Sequence, residues 1–355
     1  MYFNNKVILV TGGTGSMGKT FVRRVLGGEM GIPKKLIVLS RDEAKQHDMR
    51  ISYLNKRHST DEVVYNNFKN LLEFRIGDVR DYSDVVAAVK QADIVINAAA
   101  LKQVPTCEYF PEQAIATNCM GAFNITRAVR EHGAHVQTVV GISTDKACKP
   151  INAMGMTKAL QERVFISANI SSPKTRFLCV RYGNVLASRG SVIPLFHHQI
   201  KNNGPVTITD NRMTRFLLTL DQAVDTVFKA LLDGHAGEII VPRAPSALMP
   251  DVARTLIGER KIDIKITGIR PGEKFHEIMI SEEEAPYVET RGEYFAILPM
   301  LPELNPNGPN SNPILKKEFS SGDIVLTQPE VNQLLRKHKL MVEDNSNFNE
   351  DELLR

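Results

Sequence analysis

The stretch "KVILVTGGTGSMGKTF", residues 6–21, decides the fold of this chain. Its apolar beginning predicts a strand over 6–10, and the glycines that follow let the backbone turn tightly and approach a pyrophosphate. The phosphates then rest on the N-terminus of the next helix. Because the loop lies between a strand and a helix, it has the context of a dinucleotide site; the alternative is a structural turn. The predicted cofactor contacts in this loop are Gly12, Gly15, Ser16, Met17 and Gly18.

Beyond this loop, short β-branched runs alternate with helical patterns. Further strands are predicted at 35–39, 72–76, 93–98, 136–143 and 176–182. The clearest helical patterns are at 109–131 and 153–168. The strands are almost entirely apolar, as expected when helices cover both faces of a parallel sheet. The alternation predicts an α/β fold with a doubly wound parallel sheet of the Rossmann type.

The alternation becomes irregular after residue 184, which predicts a division into domains. Residues 1–184 form the predicted dinucleotide-binding domain, to which some later segments return. Residues 185–301, with short predicted strands at 206–209 and 238–241, are expected to form a smaller C-terminal α/β substrate domain.

The remaining residues, 302–355, are predicted to be a linker and a C-terminal tail. The beginning of this segment, 302–313, is rich in Pro and Asn, as linkers often are. The amphipathic piece 328–341 is a candidate to dock back on the body of the protein.

Composition excludes several classes of function. The net charge of +4 over 355 residues is small and dispersed, so no nucleic-acid partner is expected. The four cysteines form no C-x-x-C pair and the nine histidines have no metal-binding spacing, so no metal site is predicted. The sequence shows no signal peptide and no apolar run that approaches the roughly 18 residues of a membrane span. We expect a cytoplasmic protein without a membrane partner.

The end of the second predicted strand bears on the choice of cofactor. An NAD site usually has an acidic residue there that binds both ribose hydroxyls. This chain has Ser40 and Arg41 instead, with Asp42 one position later and Lys45 one helical turn on. A hydroxyl and two cations suit a 2′-phosphate, so NADP is favoured over NAD. The alternative is that Arg41 and Lys45 only solvate the start of a helix.

Two further strand ends are predicted to contact the cofactor. Asp78 and Val79 follow the third strand, where a carboxylate reaches the adenine side of the site. The small residues Ala98, Ala99 and Ala100 end the fourth strand and let the backbone approach the cofactor. The alternatives are a helix cap and close packing between strands.

The stretch "GISTDKACKPINAMGMTK", residues 141–158, carries the predicted proton chemistry. Asp145 and Lys146 lie at the carboxyl end of a parallel strand, where open α/β sheets bind ligands. They offer an acid and a base if burial lowers the pKa of the lysine and raises that of the carboxyl group. The alternative is a surface turn with an ion pair. Met154 lies four positions before Lys158, where many dinucleotide-dependent enzymes have a catalytic tyrosine, and a thioether cannot take a proton.

Five motifs in order resemble a known group: "TGGTGSMG", "NAAALKQVPTCEYFPEQAIATN", "STDKACKPINAMGMTK", "RYGNVLASRGSVIP" and "RPGEK". Over about residues 5–300 the chain resembles the extended short-chain dehydrogenase/reductase superfamily. Within that superfamily it is most similar to the capsular-type inverting UDP-N-acetylglucosamine 4,6-dehydratases of polysaccharide biosynthesis. Some members of that group also have Met-x-x-x-Lys, whereas other branches have the tyrosine.

The resemblance implies roles for five residues of the stretch 141–158. Lys146 is the base at C5 of the sugar, Asp145 is the acid at O6, and Thr144 binds O4. Lys158 binds the hydroxyls of the nicotinamide ribose, and Met154 lines the sugar pocket. The proton of the C4 hydroxyl leaves through Thr144 and water, or directly to Asp145 or Lys146.

The resemblance also implies further cofactor and substrate contacts and an assembly. A homo-oligomer, from a dimer to a hexamer, is expected. The cofactor contacts include Lys102 and Asn118. The UDP-sugar is expected to contact Lys102, Asn184, Arg189, Arg215, Arg270 and Glu273. Each of these residues taken alone could be a surface polar group.

The predicted reaction is the NADP-dependent dehydration of UDP-N-acetylglucosamine to a 4-keto-6-deoxy sugar for surface polysaccharide. The alternative is a UDP-sugar 4-epimerase, which needs only oxidation and reduction at C4 and usually uses the tyrosine. A third possibility is a catalytically silent dinucleotide-binding protein, which would leave Asp145 and Lys146 unexplained.

Overall fold

A computed structural model describes residues 1–55, 62–186, 191–270 and 272–344 of the chain. Its strands are β1 Val7–Thr11, β2 Lys35–Ser40, β3 Leu72–Ile76, β4 Ile94–Asn97, β5 Thr138–Thr144, β6 Arg176–Tyr182, β7 Val206–Ile208, β8 Thr214–Phe216, β9 Ile239–Pro242, β10 Ser246–Leu248, β11 Ile264–Ile266, β12 Ile278–Ile280, β13 Val288–Arg291, β14 Tyr294–Ile297 and β15 Phe319–Ser320. Its α-helices are α1 Ser16–Leu26, α2 Glu43–Leu54, α3 Glu62–Leu71, α4 Tyr82–Val89, α5 Val104–Tyr109, α6 Pro111–Ala114, α7 Gly121–His132, α8 Ala153–Ser171, α9 Val192–Lys201, α10 Leu220–Asp233, α11 Met249–Ile257 and α12 Gln328–Lys337.

Nine strands form one large sheet in the order β13-β14-β9-β6-β5-β4-β1-β2-β3. The strands from β3 to β9 in this order are parallel, and β14 and β13 continue the sheet as an antiparallel hairpin. The central strands are almost entirely buried, because helices pack on both faces of the sheet. The prediction of a doubly wound parallel sheet of the Rossmann type is confirmed.

Two predicted elements differ from the observed ones. The strand expected at 238–241 exists as β9, but it pairs with β6 in the large sheet and not with the smaller domain. All four of its residues are buried, as in a central strand. The helix expected over 109–131 is interrupted, because Phe110 has a non-helical backbone and Pro111 begins a new helix. A π-helical turn, Ile115–Met120, then leads into α7.

A second, smaller body of structure is formed by segments that alternate along the chain with β9 and the β13–β14 hairpin of the large sheet. Its three two-stranded sheets pair β7 with β11, β8 with β10, and β12 with β15. Its own hydrophobic cluster lies between α9, α11 and α12, where α12 buries Val331 and Leu335. The predicted amphipathic piece at 328–341 therefore contributes to a core, and 302–313 forms neither a helix nor a strand. The predicted domain boundaries themselves stay a prediction.

Two kinds of feature, a membrane-spanning helix and a cluster of metal-binding side chains, are absent from the described residues. None of their helices combines the length and the apolar character that a membrane crossing requires. Nor do they contain a group of three or more His, Cys, Asp or Glu side chains that could hold a metal ion.

Candidate active site

The glycine-rich loop forms a cradle between β1 and α1. Gly12 has φ of +64°, and a Cβ atom there would lie 2.6 Å from the amide nitrogen of Ala99. A Cβ atom on Gly18 would lie 2.5 Å from Cα of Gly13. Side chains at these two positions would therefore push the loop away from the end of β4 and from its own helix. The close approach keeps the N-terminus of α1 at the carboxyl edge of the sheet.

The N-terminus of α1 is chemically suited to an anion. Gly15 occupies the cap position and has no side chain to satisfy the first N–H groups, and the first turn holds no acidic residue. Ser16 and Met17 begin the helix. Unsatisfied N–H groups and the helix dipole favour a phosphate at this position. The predicted loop residues therefore lie together in an arrangement that can hold a dinucleotide.

The end of β2 presents cations beside the same edge. The hydroxyl of Ser40 lies 3.0 Å from that of Thr14. Arg41 is largely exposed, and its guanidinium lies 3.8 Å from Asp78. Asp42 caps α2 and pairs with the amine of Lys45 at 2.5 Å, which holds the pKa of this carboxyl below its usual value. Asp42, the carboxylate nearest in sequence to the end of this strand, is thus already engaged by Lys45.

Asp78 and Val79 have local partners at the end of β3. Asp78 accepts hydrogen bonds from the guanidinium of Arg80 at 2.7 and 2.9 Å. Burial would raise the pKa of Asp78, but Arg80 outweighs it and holds the pKa below its usual value. Val79 is buried, its carbonyl accepts from Asn124, and a Cβ on Gly121 would press on its side chain at 2.8 Å. In this structure Val79 packs the core beside the site.

Asn118 acts as a clamp between the loop after β4 and α8. Its amide oxygen accepts from the backbone N–H of Leu101 at 2.9 Å. Its amide nitrogen donates to the Leu101 carbonyl at 3.0 Å and to the Thr157 hydroxyl at 2.9 Å. These bonds fix the loop that carries Ala98, Ala99, Ala100 and Lys102. The structure therefore gives this predicted cofactor ligand a positioning role.

The turn that carries the predicted acid and base follows β5 directly. Thr144 ends the strand, and Asp145–Ala147 form a short 3-10 helix. A Cβ atom on Gly155 would lie 2.2 Å from the Lys146 carbonyl oxygen, so only glycine lets α8 pack this closely against the turn. Asn152 caps α8 through the N–H of Gly155 at 2.8 Å. The start of α8 thus holds the turn in place.

Asp145 is completely buried at the centre of the site. Its Oδ1 accepts from the Thr144 hydroxyl at 2.7 Å and from the Lys146 amine at 3.1 Å. Its Oδ2 is buried and has no hydrogen-bond partner within the described part of the chain. Burial raises the pKa of Asp145 above its usual value, and the nearby Glu277 contributes in the same direction. The carboxyl group has the environment of a proton donor.

The environment of Lys146 differs from the expectation. Its amine lies 3.1 Å from Asp145 and 3.2 Å from Glu277, and Arg215 lies 3.7 Å from the same Glu277 oxygen. Burial alone would lower the pKa of the lysine, but the two carboxylates outweigh it and raise the pKa. The expected lowering of the lysine pKa is therefore wrong for this structure. We call Asp145, Lys146, Arg215 and Glu277 the acid–base cluster.

Lys158 and Met154 occupy different environments on α8. The buried amine of Lys158 donates to the Ile142 carbonyl at 2.5 Å and to the Gln161 side chain at 2.6 Å. Burial lowers its pKa to about 8. Met154 is only 4% exposed and packs in a small apolar cluster with Cys107 and Ala114. The position that holds a tyrosine in many related enzymes is thus an apolar packing position here.

The predicted substrate residues are only partly brought together. Arg215 joins the acid–base cluster and donates to the carbonyls of Thr214 and Phe275. Asn184 has a buried side-chain oxygen without a hydrogen-bond partner in the described ranges. Arg270 is exposed and Glu273 is partly buried in one turn, which Asn152 anchors by donating to the Gly272 carbonyl at 3.0 Å. Lys102 is exposed, and Arg189 lies outside the described residues.

Three residues that position the cluster were not predicted from the sequence. They are Asn152, Gly155 and Glu277. Asn152 has the character of a helix cap, and that signal was available before the structure. Gly155 and Glu277 gave no such signal, because they matter through contacts with Lys146 that only the folded chain brings about.

Comparisons with known proteins agree with this architecture. Residues 8–299 match the profile of a family described as "Polysaccharide biosynthesis protein". A protein of Rickettsia bellii (strain OSU 85-389) named UDP-glucose 4-epimerase is 44% identical over 301 residues, which cover 83% of each chain. The X-ray structure of Pen from Bacillus thuringiensis is 33% identical, with a TM-score of 0.82 over 95% of this chain and 100% of that one.

A more distant structure shares the fold alone. DesIV from Streptomyces venezuelae, described as a dTDP-glucose 4,6-dehydratase and solved with NAD bound, is 21% identical. Its TM-score is 0.63 over 76% of this chain and 86% of that one. Proteins named as epimerase and as dehydratase are thus both similar to this chain, the dehydratase in its fold alone.

Proposed function

The chain belongs to the polysaccharide biosynthesis protein family, and from that premise we propose that it is a nucleotide-sugar 4,6-dehydratase. The proposed substrate is UDP-N-acetylglucosamine, and the product is a UDP-4-keto-6-deoxy sugar for surface polysaccharide. The resemblance of its motifs to the inverting dehydratases further suggests inversion at C5. The proposed cofactor is NADP.

One observation carries the choice of reaction. A buried carboxyl group lies 3.1 Å from a lysine amine, and one of its oxygens has no hydrogen-bond partner among the residues that the structure describes, while position 154 holds a buried methionine. Elimination of water from a 4-keto sugar needs a base at C5 and an acid at the C6 hydroxyl, and Lys146 and Asp145 offer both. A 4-epimerase needs neither, while both reactions must remove the C4 hydroxyl proton, which Met154 cannot take. Dehydration therefore gives both members of the pair a role that epimerisation does not.

The contact between Lys146 and Asp145 lets one proton move between them, which is proposed to give the protonation states that the elimination requires. In the resting state the lysine is an ammonium and Asp145 is a carboxylate. Transfer of one proton from Lys146 Nζ to Asp145 Oδ1 gives an amine and a carboxylic acid at once. The raised pKa of the buried Asp145 favours this transfer, although the raised pKa of Lys146 opposes it. Desolvation by the sugar would favour the neutral forms of both groups.

During the elimination the Asp145–Lys146 pair takes up one proton and gives one up. The amine of Lys146 takes the C5 proton, the C5–C6 double bond forms, and the C6–O bond breaks. The proton on Asp145 goes to the leaving hydroxyl, which departs as water. The pair returns to ammonium and carboxylate. Thr144, which is hydrogen-bonded to Asp145 Oδ1, is proposed to bind O4 and to pass the C4 hydroxyl proton through this pair to solvent before the elimination, so that the pair again carries one proton. Solvent supplies the proton that C5 regains afterwards.

The residues present fit a dinucleotide. The close approach at Gly12 and Gly18 and the uncapped start of α1 form a cradle for a pyrophosphate. Lys158 is proposed to bind the nicotinamide ribose, with its remaining N–H donor. When bound, the nicotinamide supplies the hydride acceptor for C4 and the hydride donor for C6. Arg41, which is exposed, and Lys45 are proposed to bind a 2′-phosphate, since Asp42 is engaged by Lys45.

The cofactor proposal has its own test. The thermal unfolding temperature of the purified protein is measured with NADP⁺ and with NAD⁺. We expect a larger increase with NADP⁺, and we expect Arg41→Ala to remove this difference without changing the effect of NAD⁺. A larger increase with NAD⁺, the cofactor named for the DesIV structure, would overturn the choice of NADP.

The UDP-sugar and the assembly remain part of the proposal. Asn184, Arg189, Arg215, Arg270 and Glu273 are proposed to surround the substrate, and cations among them suit a diphosphate. A homo-oligomer is proposed from the resemblance, and light scattering on the purified protein measures its mass directly. A monomer at micromolar concentration would contradict this part.

The reaction is tested by incubating the protein with UDP-N-acetylglucosamine and following the nucleotide sugar by mass and by proton NMR. Loss of one water together with a new methyl signal supports the dehydratase, and Asp145→Asn should abolish both. A 4-epimerase, favoured by the names of the 44%-identical relatives, would give an unchanged mass with a C4 epimer. UDP-glucose is tested in parallel, because those relatives are named for it.

A further inference from the structure

Glu277 is a buried carboxylate that the proposed reaction does not use. It lies directly before β12, and only 3% of it is exposed. Its Oε1 lies 3.2 Å from the Lys146 amine and 3.7 Å from Nε of Arg215. A carboxylate buried this deeply needs charged partners to remain ionised, and both of its partners belong to the acid–base cluster. These cations hold the pKa of Glu277 below its usual value despite burial.

The C-terminal segment holds Glu277 in this position. Ser321, which is completely buried, accepts a hydrogen bond on its hydroxyl from the N–H of Glu277 at 2.9 Å. Its own N–H donates to the Glu277 carbonyl at 2.8 Å. Pairing of β12 with β15 brings the two residues side by side. Both backbone groups of Glu277 are therefore fixed by a residue from the region that the sequence suggested was a linker and tail.

The same serine connects Glu277 to the strand that carries Arg215. The Ser321 hydroxyl lies 2.6 Å from the hydroxyl of Thr214 and 3.2 Å from its carbonyl oxygen. Ser321 also accepts on its carbonyl from Ser246 at 2.5 Å. The serine therefore ties the glutamate to β8 and β10. A small shift of the C-terminal segment would move the glutamate relative to the lysine.

Charges from several elements face Lys146. Asp145 comes from its own turn, Glu277 from the start of β12, and Arg215 from β8. Lys274, whose amine donates to the Cys148 carbonyl, acts on the same carboxylates. Three cations thus face two carboxylates, and without the charge of Glu277 a single carboxylate would remain. The proton content of the Asp145–Lys146 pair depends on which of these charges are present.

We infer that Glu277 is a positioning residue for the Asp145–Lys146 pair, held in place by Ser321. It orients the amine of Lys146 and keeps one proton on the pair at neutral pH. The inference rests on the proposed dehydration for its catalytic meaning. Its electrostatic content, the effect of Glu277 on the lysine, does not depend on the substrate.

The inference predicts the direction in which the pH profile of kcat/KM shifts when the charge of Glu277 is removed. The active pair carries one proton, so turnover falls on the acid side when a second proton binds and on the alkaline side when the first is lost. A nearby carboxylate favours the protonated form at both steps. Glu277→Gln should therefore move both limbs of the kcat/KM profile to lower pH, by about one unit or more. A purely structural role would lower activity without moving both limbs together.

Two variants and one control make the experiment specific. Glu277→Asp keeps the charge but shortens the side chain, so we expect lower kcat with limbs close to those of the wild type. Ser321→Ala should lower kcat with a smaller displacement of the limbs. The matched control is Glu282→Gln, a largely exposed glutamate that pairs with Lys149. It should leave both limbs and kcat unchanged.

A second measurement needs no turnover. Lysine side chains labelled with ¹³C and ¹⁵N are titrated by NMR in the wild type and in Glu277→Gln, and Lys146→Met identifies the signal. We expect the lysine to titrate at least about one pH unit lower in Glu277→Gln. An unchanged titration overturns the inference. A shifted titration in a protein that does not dehydrate UDP-N-acetylglucosamine supports the inference and overturns the proposed function instead.

Discussion

Two buried clusters of charge lie on neighbouring elements of this protein, and they are built differently. In the first, which we call the structural cluster, Arg181 of β6 lies between Glu162 of α8 and Glu284. All five N–H donors of this guanidinium are used, four on carboxylate oxygens and one on the Met279 carbonyl, at 2.7 to 3.0 Å. Such an arrangement leaves no N–H donor of the guanidinium without an acceptor.

The acid–base cluster lacks this saturation. The contacts between its charged groups range from 3.1 to 3.7 Å, and the Lys146 side chain is 21% exposed. One oxygen of Asp145 has no hydrogen-bond partner among the described residues. The two clusters start from adjacent residues of β5, since Ser143 donates to Glu162 while Thr144 donates to Asp145. Saturated bonding stabilises the fold, whereas unsaturated bonding leaves a proton that can move.

The largest expected effect follows from breaking the structural cluster. Arg181→Leu leaves two buried carboxylates without their cation, and we expect a loss of about 3–5 kcal/mol in the free energy of unfolding. Denaturant unfolding followed by circular dichroism measures it. The matched control is Arg254→Gln, whose guanidinium is 56% exposed and pairs with Asp251, and which should cost less than about 1 kcal/mol. Equal losses in the two variants would contradict the comparison.

Disrupting the acid–base cluster should lower turnover strongly and stability only slightly. Asp145→Asn keeps the shape of the side chain but removes its acid, so turnover should fall by about 100-fold or more. The free energy of unfolding should change by less than about 1 kcal/mol, because Asp145 is not saturated with partners. Product formation and denaturant unfolding are measured on the same preparation. A large loss of stability with nearly full turnover would reverse the roles of the two clusters.

The pH dependence of stability that Lys158 causes gives a further test of the comparison. Burial lowers its pKa from the usual 10.5 to about 8, so the folded state binds fewer protons than the unfolded state between these values. Stability should therefore rise with pH through this window. Lys158→Met should remove that rise and add up to about 3 kcal/mol to the free energy of unfolding at pH 7. Gln161 still donates to the Ile142 carbonyl in the variant. Unfolding at pH 7 and pH 10 measures both effects, and a less stable variant at pH 7 would contradict the prediction.

Met154 should give the smallest effect. It packs with Cys107 and Ala114, so Met154→Leu should change stability by less than about 1.5 kcal/mol and turnover by only a few-fold. Met154→Tyr introduces the hydroxyl found in many related enzymes, but overpacking should destabilise the protein by about 1–3 kcal/mol. We expect no gain in turnover from it. A large loss of activity in Met154→Leu would show that the sulfur takes part in the reaction.

The sequence predicted the large sheet well because its strands contain continuous apolar runs, such as 36–39 and 177–180, between recognisable loops. It did not predict the hairpin of β13 and β14, because the short run "VETRGEYFAI" carries alternating polar residues outside the regular βα order. The break at Pro111 and the π-helical turn after it were missed for a related reason. Periodicity describes regular helices and does not report a change in hydrogen bonding.

The site was predictable where its residues are neighbours in sequence. Thr144, Asp145 and Lys146 follow one strand, so their meeting at the edge of the sheet could be anticipated. Their pKa values could not be, because Glu277 reaches Lys146 only through the pairing of β12 with β15. A contact of this kind depends on tertiary packing, and no local pattern encodes it.

The central claim is that Asp145 and Lys146 exchange the C5 proton during loss of water, and its most direct test is the reaction in D₂O. UDP-N-acetylglucosamine is incubated with the wild-type protein, and the product is analysed by mass and by proton NMR. We predict a product that has lost one water and carries one deuterium at C5, because the acidic protons of the pair exchange with solvent. A product without loss of water and without deuterium would contradict the account and favour an epimerase.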